Sequence, residues 1–175
     1  MTTYCGYIAL VGRPNVGKST LLNRILEQKI SITSKKPQTT RHSILGIRTE
    51  GEKQFVYVDT PGIHQENKKA MNRMMNKTAI SVLRDVDVIV FLVDGTHWQD
   101  EDEYVLNLIK QSKIPCILAI NKVDKIVDKT QLLPWIEQIS QRHEFQSIIP
   151  LSAKNGTQVQ ELEKKLTAFL PEGPH

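Results

Sequence analysis

The sequence is poor in the features that would take it out of the ordinary folded class. It has two cysteines, Cys5 and Cys116. Their spacing fits neither a zinc site nor a redox pair, and each lies in an apolar run where a thiol behaves as a small hydrophobe, so buried structural thiols are expected. The longest apolar run, near residues 86–93, is far shorter than the ~20 residues needed to span a bilayer. The opening MTTYCGYIAL has neither the charged start nor the long apolar stretch of an export signal, so neither secretion nor insertion is expected. Neither sign of charge prevails: 23 Lys plus Arg face 19 Asp plus Glu, for a net +4. That balance is compatible with an anionic ligand but too small to establish one. The basic clusters at Lys35, Lys36 and Arg41 and at Lys68, Lys69, Arg73 and Lys77 read as solvated surface. No internal repeat, low-complexity tract or interdomain linker is visible.

What is present suits one packed domain. The chain has 175 residues, 39% of them apolar and 24% charged, enough for one hydrophobic core without staples. Apolar runs of strand length at 7–11, 55–58, 86–93, 114–120 and 148–151 alternate with segments of helical period, which predicts a mostly parallel α/β sheet. Between Ser43 and Val58, two strand-like runs flank Gly51, Glu52 and Lys53. That connection is too short for a crossover, so it predicts a hairpin with one antiparallel edge strand. The expected architecture is a six-stranded, mostly parallel sheet with helices on both faces.

Leu21, Leu22, Ile25 and Leu26 form the inner stripe of a first helix, and Met71, Met74, Met75, Thr78 and Val82 that of a second. Asp100, Glu101, Asp102 and Glu103 open a third, over about 99–111, where acidic groups complement the positive end of the helix. A fourth runs over about 130–141 with Pro134 in its first turn. The last has Thr157 and Gln160 at capping-box spacing and a stripe of Val159, Leu162, Leu166, Phe169 and Leu170. The domain is drawn as 1–170, with 171–175 as the start of a linker.

Four features carry chemistry. Gly12-Arg13-Pro14-Asn15-Val16-Gly17-Lys18-Ser19, followed by Thr20, fits G-x-x-x-x-G-K-[ST] between a strand and a helix, the setting the motif requires. Its glycines let backbone N–H groups curl toward phosphates, Lys18 neutralises β/γ charge, and Ser19 offers a hydroxyl to Mg²⁺. Asp59-Thr60-Pro61-Gly62 follows a strand and puts Asp59 at its carboxyl end, in reach of the same cation through water. Asn121-Lys122-Val123-Asp124 leaves another strand; its Asp can accept from guanine N1–H and the 2-amino group, donors that adenine lacks there. Ser152-Ala153-Lys154, after the final strand, can offer backbone N–H groups to the guanine oxygen, although a plain strand-to-helix turn explains it almost as well.

In this order the motifs match the translation-factor-type P-loop GTPases. Lys29-Ile-Ser-Ile-Thr-Ser, Pro37-Gln38-Thr39-Thr40-Arg41-His42 and Asp59-Thr-Pro-Gly-Ile63-His64 narrow the resemblance to the Era family of bacterial ribosome-assembly GTPases. The Der and MnmE families share the loop and the Thr-Arg pair, while Gln38 and His42 favour Era. The resemblance covers essentially the whole chain and implies a Ras-like G domain that binds GTP or GDP with Mg²⁺ and hydrolyses GTP. It also implies that Thr40, with Thr39 as the fallback, reaches the Mg²⁺ already assigned to Ser19 and Asp59. Asn15 is implied to hold a K⁺ that assists catalysis alongside Lys18. Ile63 stands where Ras-type enzymes place a water-orienting Gln, so slow turnover is expected. His64, next to that position, could be proposed as a base, but its loop setting favours a surface histidine. The family also carries a KH-type RNA-binding domain after a point near Pro174. The implied partners are therefore small-subunit ribosomal RNA and the 30S subunit, engaged mainly through that domain. A monomeric G domain, cytoplasmic with peripheral membrane association as an open expectation, completes the reading. The competing classes are a Der- or MnmE-like domain, a GTP-dependent interaction module with negligible hydrolysis, and a small-molecule P-loop kinase, against which Asn-Lys-x-Asp argues.

Overall fold

The computed structural model describes residues 2–13, 15–26, 44–60, 72–95, 98–122, 130 and 132–174, with 72–76 in backbone only. Six strands run in chain order: β1 (Tyr4–Val11), β2 (Ile44–Glu50), β3 (Lys53–Val58), β4 (Val88–Asp94), β5 (Cys116–Asn121) and β6 (Ser147–Pro150). The helices are α1 (Lys18–Leu26), α2 (Asn72–Arg84), α3 (Asp100–Ser112), α4 (Leu132–Ser140) and α5 (Val159–Leu166), the last running into a 3₁₀ turn at Thr167–Phe169. The strands form one sheet in the order β2-β3-β1-β4-β5-β6. Every pairing is parallel except β2 with β3. The expected hairpin is present, and Gly51 at φ 63° supplies the left-handed residue its short turn needs.

Alternation along the strands builds two cores. Ile8, Leu10, Tyr57, Val90, Leu92 and Ala119 point to one face, where Leu21 and Ile25 of α1 and Leu162 and Leu166 of α5 cover them. Their neighbours Ala9, Val11, Val58, Phe91, Val93 and Leu118 point to the other, under Ala79 and Leu83 of α2, Val105, Leu106 and Ile109 of α3 and Ile139 of α4. Strands buried on both faces read as continuous apolar runs, which is why the sequence betrays them. Cys116 is fully buried and Cys5 half-buried, both as free thiols.

Three local expectations fail. Thr78 is exposed; the buried stripe of α2 is Ala79, Val82 and Leu83, one residue further round the helix, while the side chains of Met71, Met74 and Met75 lie outside the described residues. The capping box at Thr157 does not form. The N-cap of α5 is Gln158, at φ 63° and with no side-chain capping bond, because the Thr157 carbonyl instead accepts the Ser152 N–H at 3.1 Å. The apolar residues Val86 and Ile114 belong to the turns entering β4 and β5 rather than to the strands. Beyond the boundary drawn at residue 170, Glu172 bridges to Tyr4, and the Thr3 hydroxyl donates to the Gly173 carbonyl at 2.7 Å. The close passage depends on Gly6, where a Cβ would fall 2.5 Å from the Leu170 side chain.

All strands except β2 point their carboxyl ends the same way, and the chain passes from β3 across β1 to β4. That reversal of order makes a crevice at the end of β1. Phe91, central in the sheet, is fully buried and meets the Trp98 ring edge-on at 6.1 Å. Phe91→Ala is expected to cost about 3–5 kcal/mol, read as a lower urea midpoint with an unchanged slope.

Candidate functional site

The loop from Gly12 to Gly17 leaves β1 and enters α1, and its shape is fixed from within. Gly12 has no room for a side chain: a Cβ would sit 2.6 Å from the Leu92 carbonyl oxygen. Asn15 and Gly17 both take left-handed backbone, at φ 67° and 106°, a conformation that Gly adopts freely and Asn tolerates. Val16 is fully buried and anchors the loop in the core. The Leu21 N–H then donates to the Gly17 carbonyl at 2.9 Å, which starts the helix. The Lys18 ammonium folds back over the loop and donates to the Gly12 carbonyl at 2.9 Å. Burial pulls its pKa down to about 8, against the opposing pull of the Asp59 carboxylate. A half-buried ammonium that burial discourages from being charged suits an anion, which would restore the charged form. Ser19 and Thr20 are exposed at the start of α1, where free backbone N–H groups and the helix dipole favour the same sign.

Neighbouring strand ends lock this loop in place. Asn121, the last residue of β5, is buried and uses both ends of its amide. Its Nδ2 donates to the Val16 carbonyl at 2.7 Å, and its Oδ1 accepts the Ala153 N–H at 2.9 Å. Lys122, left-handed at φ 68°, donates to the Asn15 carbonyl at 3.1 Å and pairs with Asp94, at the end of β4, at 3.2 Å. The Arg13 side chain turns to α3, where its Nε meets the buried Asp102 carboxylate at 3.0 Å. From α1, Arg24 donates to the carbonyls of Ala153 (3.3 Å) and Lys154. The Ser152 Oγ accepts the Asn155 N–H at 3.1 Å, so the turn carrying Ala153 is itself tied down.

Asp59 leaves β3 half-exposed beside this loop. Thr60 is fully buried, and its hydroxyl oxygen has no hydrogen-bond partner. Pro14, Thr40, Pro61, Gly62, Ile63, Val123 and Asp124 lie outside the described residues, as do the basic groups at 35–41 and 68–69. The structure thus gathers Gly12, Asn15, Val16, Gly17, Lys18, Asn121, Lys122 and Ala153 into one bonded frame. Asp94, Asp102 and Arg24 carry no site motif in the sequence. Asp94 lies just past the apolar run read as a strand, Asp102 in a run read as complementing a helix dipole, and Arg24 on the outer side of a helix, so no local signal marks their long-range contacts.

A loop of this shape between β1 and α1, at the crevice of an open parallel sheet, defines a P-loop nucleotide-binding domain. The profile of the 50S ribosome-binding GTPase family matches residues 7–122, and the chain belongs to that family. It is 61% identical over 173 residues to GTPase Era of Histophilus somni (strain 129Pt), an alignment covering 99% of this chain and 58% of that protein. Among solved structures it is similar to Era in complex with MgGDPNP and nucleotides 1506–1542 of 16S ribosomal RNA, at TM-score 0.78 and 42% identity over 99% of this chain and 59% of that one. It is also similar to a tyrosine-to-alanine variant of Aquifex aeolicus Era bound to GDP and AlF4⁻, at TM-score 0.77 and 43% identity, covering 98% and 59% of the two chains. The resemblance to Era-type GTPases read from the motifs agrees with these findings. The chain spans somewhat under three fifths of the length of its curated relatives.

Removing the Asn121 amide strands two buried partners, the Val16 carbonyl and the Ala153 N–H. Asn121→Ala is therefore expected to lose about 2–4 kcal/mol in urea unfolding of the ligand-free domain, where no nucleotide contact contributes. Unchanged stability would show that the amide is no brace.

Proposed function

We propose that this domain binds GTP with Mg²⁺ and hydrolyses it slowly to GDP and phosphate, as the switch of an Era-type protein acting in small ribosomal subunit assembly. The observation that carries the reading is the shared frame: Asn121 joins the phosphate-side loop at Val16 to the base-side turn at Ala153. A ligand with a polyphosphate at one end and a purine at the other suits such a site. The donor set fits the cation, since the Ser19 hydroxyl and Asp59 carboxylate are the hard oxygen ligands Mg²⁺ prefers, and Thr60, which follows Asp59 in the chain, keeps a buried hydroxyl without a partner. Mg²⁺, when bound, neutralises charge on the β- and γ-phosphates. Lys18 adds its ammonium from within the loop. Thr40 would complete the cation's ligands, and Asp124 would accept from the guanine edge.

With Ile63 in place of a Gln, no side chain at that position can orient water by hydrogen bonding. We assign the missing help to a K⁺ beside Asn15, whose exposed side chain stands at the rim of the loop while its backbone carbonyl is held by Lys122. Single-turnover phosphate release should then be several-fold faster in KCl than in NaCl, and Asn15→Asp should abolish the difference; equal rates in both salts would exclude it. Release indistinguishable from a no-protein control would favour a binding module that needs its partner to turn over. The RNA in the Era complex belongs to that protein. Carried over, it makes small-subunit ribosomal RNA and the 30S subunit the partners that we assign to the switch.

Base selectivity has its own test. A carboxylate placed for guanine is left buried and unpaired by adenine, and mismatches of that kind discriminate by ~10⁴ to 10⁵. In competition, GDP should outbind ADP by at least a thousandfold. Asp124→Asn should weaken GDP and favour xanthosine diphosphate, and an unaltered preference would sink the assignment.

A further inference from the structure

The acidic start of α3 holds four carboxylates, Asp100, Glu101, Asp102 and Glu103, and only one of them is sealed inside the protein. Asp102 is fully buried, whereas Asp100 and Glu101 are exposed. The helix dipole is already complemented by the others, so it does not explain this burial. Asp102 faces across to the phosphate loop, 89 residues away in sequence. Its Oδ2 accepts Arg13 Nε at 3.0 Å and the Gln99 N–H at 2.8 Å, while Oδ1 is buried with no hydrogen-bond partner. Burial pushes the carboxyl above its ordinary range, against the pull of Gln99 and Arg13. A pair arranged this way is a poor device for stability alone, because apolar side chains of similar volume fill such a site at equal or better stability. Unlike an apolar contact, it fixes a direction.

That direction matters because of what Arg13 adjoins. The loop has two limbs. Asn121 and Lys122 hold the second, through the Val16 and Asn15 carbonyls. On the first, Gly12 is held from inside by the Lys18 ammonium, and Arg13 is held from outside by Asp102. We propose that Asp102 is a positioning residue for phosphate binding: through Arg13 it sets the first limb of the loop, and with it the Gly12 carbonyl that aims Lys18. The inference rests on the reading that this loop receives nucleotide phosphates.

The test separates positioning from structural support. Asp102→Leu combined with Arg13→Met replaces the ion pair with apolar packing. The ligand-free melting temperature of this double variant should lie within about 3 °C of the parent. The dissociation rate of N-methylanthraniloyl-GDP, chased with excess GDP, should nevertheless be about tenfold faster. Asp102→Ala, which removes the oxygen that accepts from Arg13, should show a similar gain in dissociation rate and guards against a double variant that fails to fold. If the double variant recovers the parent dissociation rate together with its melting temperature, or if Asp102→Ala dissociates within twofold of the parent, Asp102 does not position the loop. A parent domain that fails to bind the probe overturns the nucleotide reading itself; a parent that binds, with variants that match it, overturns only this inference.

Discussion

The site depends on one side-chain amide. Asn121 ends β5 with its backbone in the sheet and its side chain buried, giving its donor to one loop and its acceptor to another. Only an amide can do both: a carboxylate at this position would repel the Val16 carbonyl, and an apolar side chain would leave both loops with a buried polar group unmet. The neighbouring sequence follows from this geometry. Gly17 must lack a side chain because a Cβ there would lie 2.2 Å from the Asn121 Nδ2, and the left-handed backbone at Asn15 and Gly17 brings the Val16 carbonyl round to meet it. The P-loop motif and the Asn-Lys-x-Asp motif, more than a hundred residues apart, are thus complementary halves of one contact.

Buried and half-buried ion pairs repeat this logic around the rim. Arg13 with Asp102 ties the loop to α3, and Lys122 with Asp94 ties it to the end of β4. On the opposite side of the sheet, the Arg48 Nε lies 3.1 Å from a Glu163 oxygen, which joins β2 to α5. Close by, the Tyr57 hydroxyl is buried without a hydrogen-bond partner, and burial raises its pKa. The end of α1 reaches the same region, where Leu26 packs so closely on β2 that a Cβ at Gly46 would lie 2.3 Å from it. The end of α1 and the start of β2 therefore meet beside a charged brace rooted in α5, where Arg48 also donates to the Ile25 carbonyl. Such pairs add little net stability compared with apolar packing, but they restrict the ways in which elements can sit against one another.

What the sequence made legible was whatever repeats locally. Strands buried on both faces announce themselves as apolar runs, and the helical stripes of Leu21 and Ile25, or of Val159, Leu162 and Leu166, follow from a 3.6-residue period. The phosphate loop was legible because its chemistry occupies eight consecutive residues. The failures share a cause, which is a contact that the local spacing does not show. Thr157 has the spacing of a cap, yet its carbonyl is taken by Ser152 and the helix starts from Gln158. Asp102 reads as one of four acids complementing a dipole, yet it is the one drawn inward by Arg13. Thr78 fits the inner stripe of α2 only if the helix is rotated by a residue, and the sheet rather than the period sets that rotation. Asn121 itself was legible as part of a guanine motif, but its role as a brace was not, since both of its partners come from other loops.

Hydrogen exchange at one amide tests the central claim most directly. If Asn121 assembles the site before any ligand arrives, the Ala153 N–H, buried and bonded to its side-chain oxygen, should exchange in the nucleotide-free domain at least a hundredfold more slowly than in an unstructured chain, within the broad range spanned by local opening. Exchange near the unstructured rate, with protection arising only once nucleotide is added, would mean that the ligand builds the frame and that the amide does not.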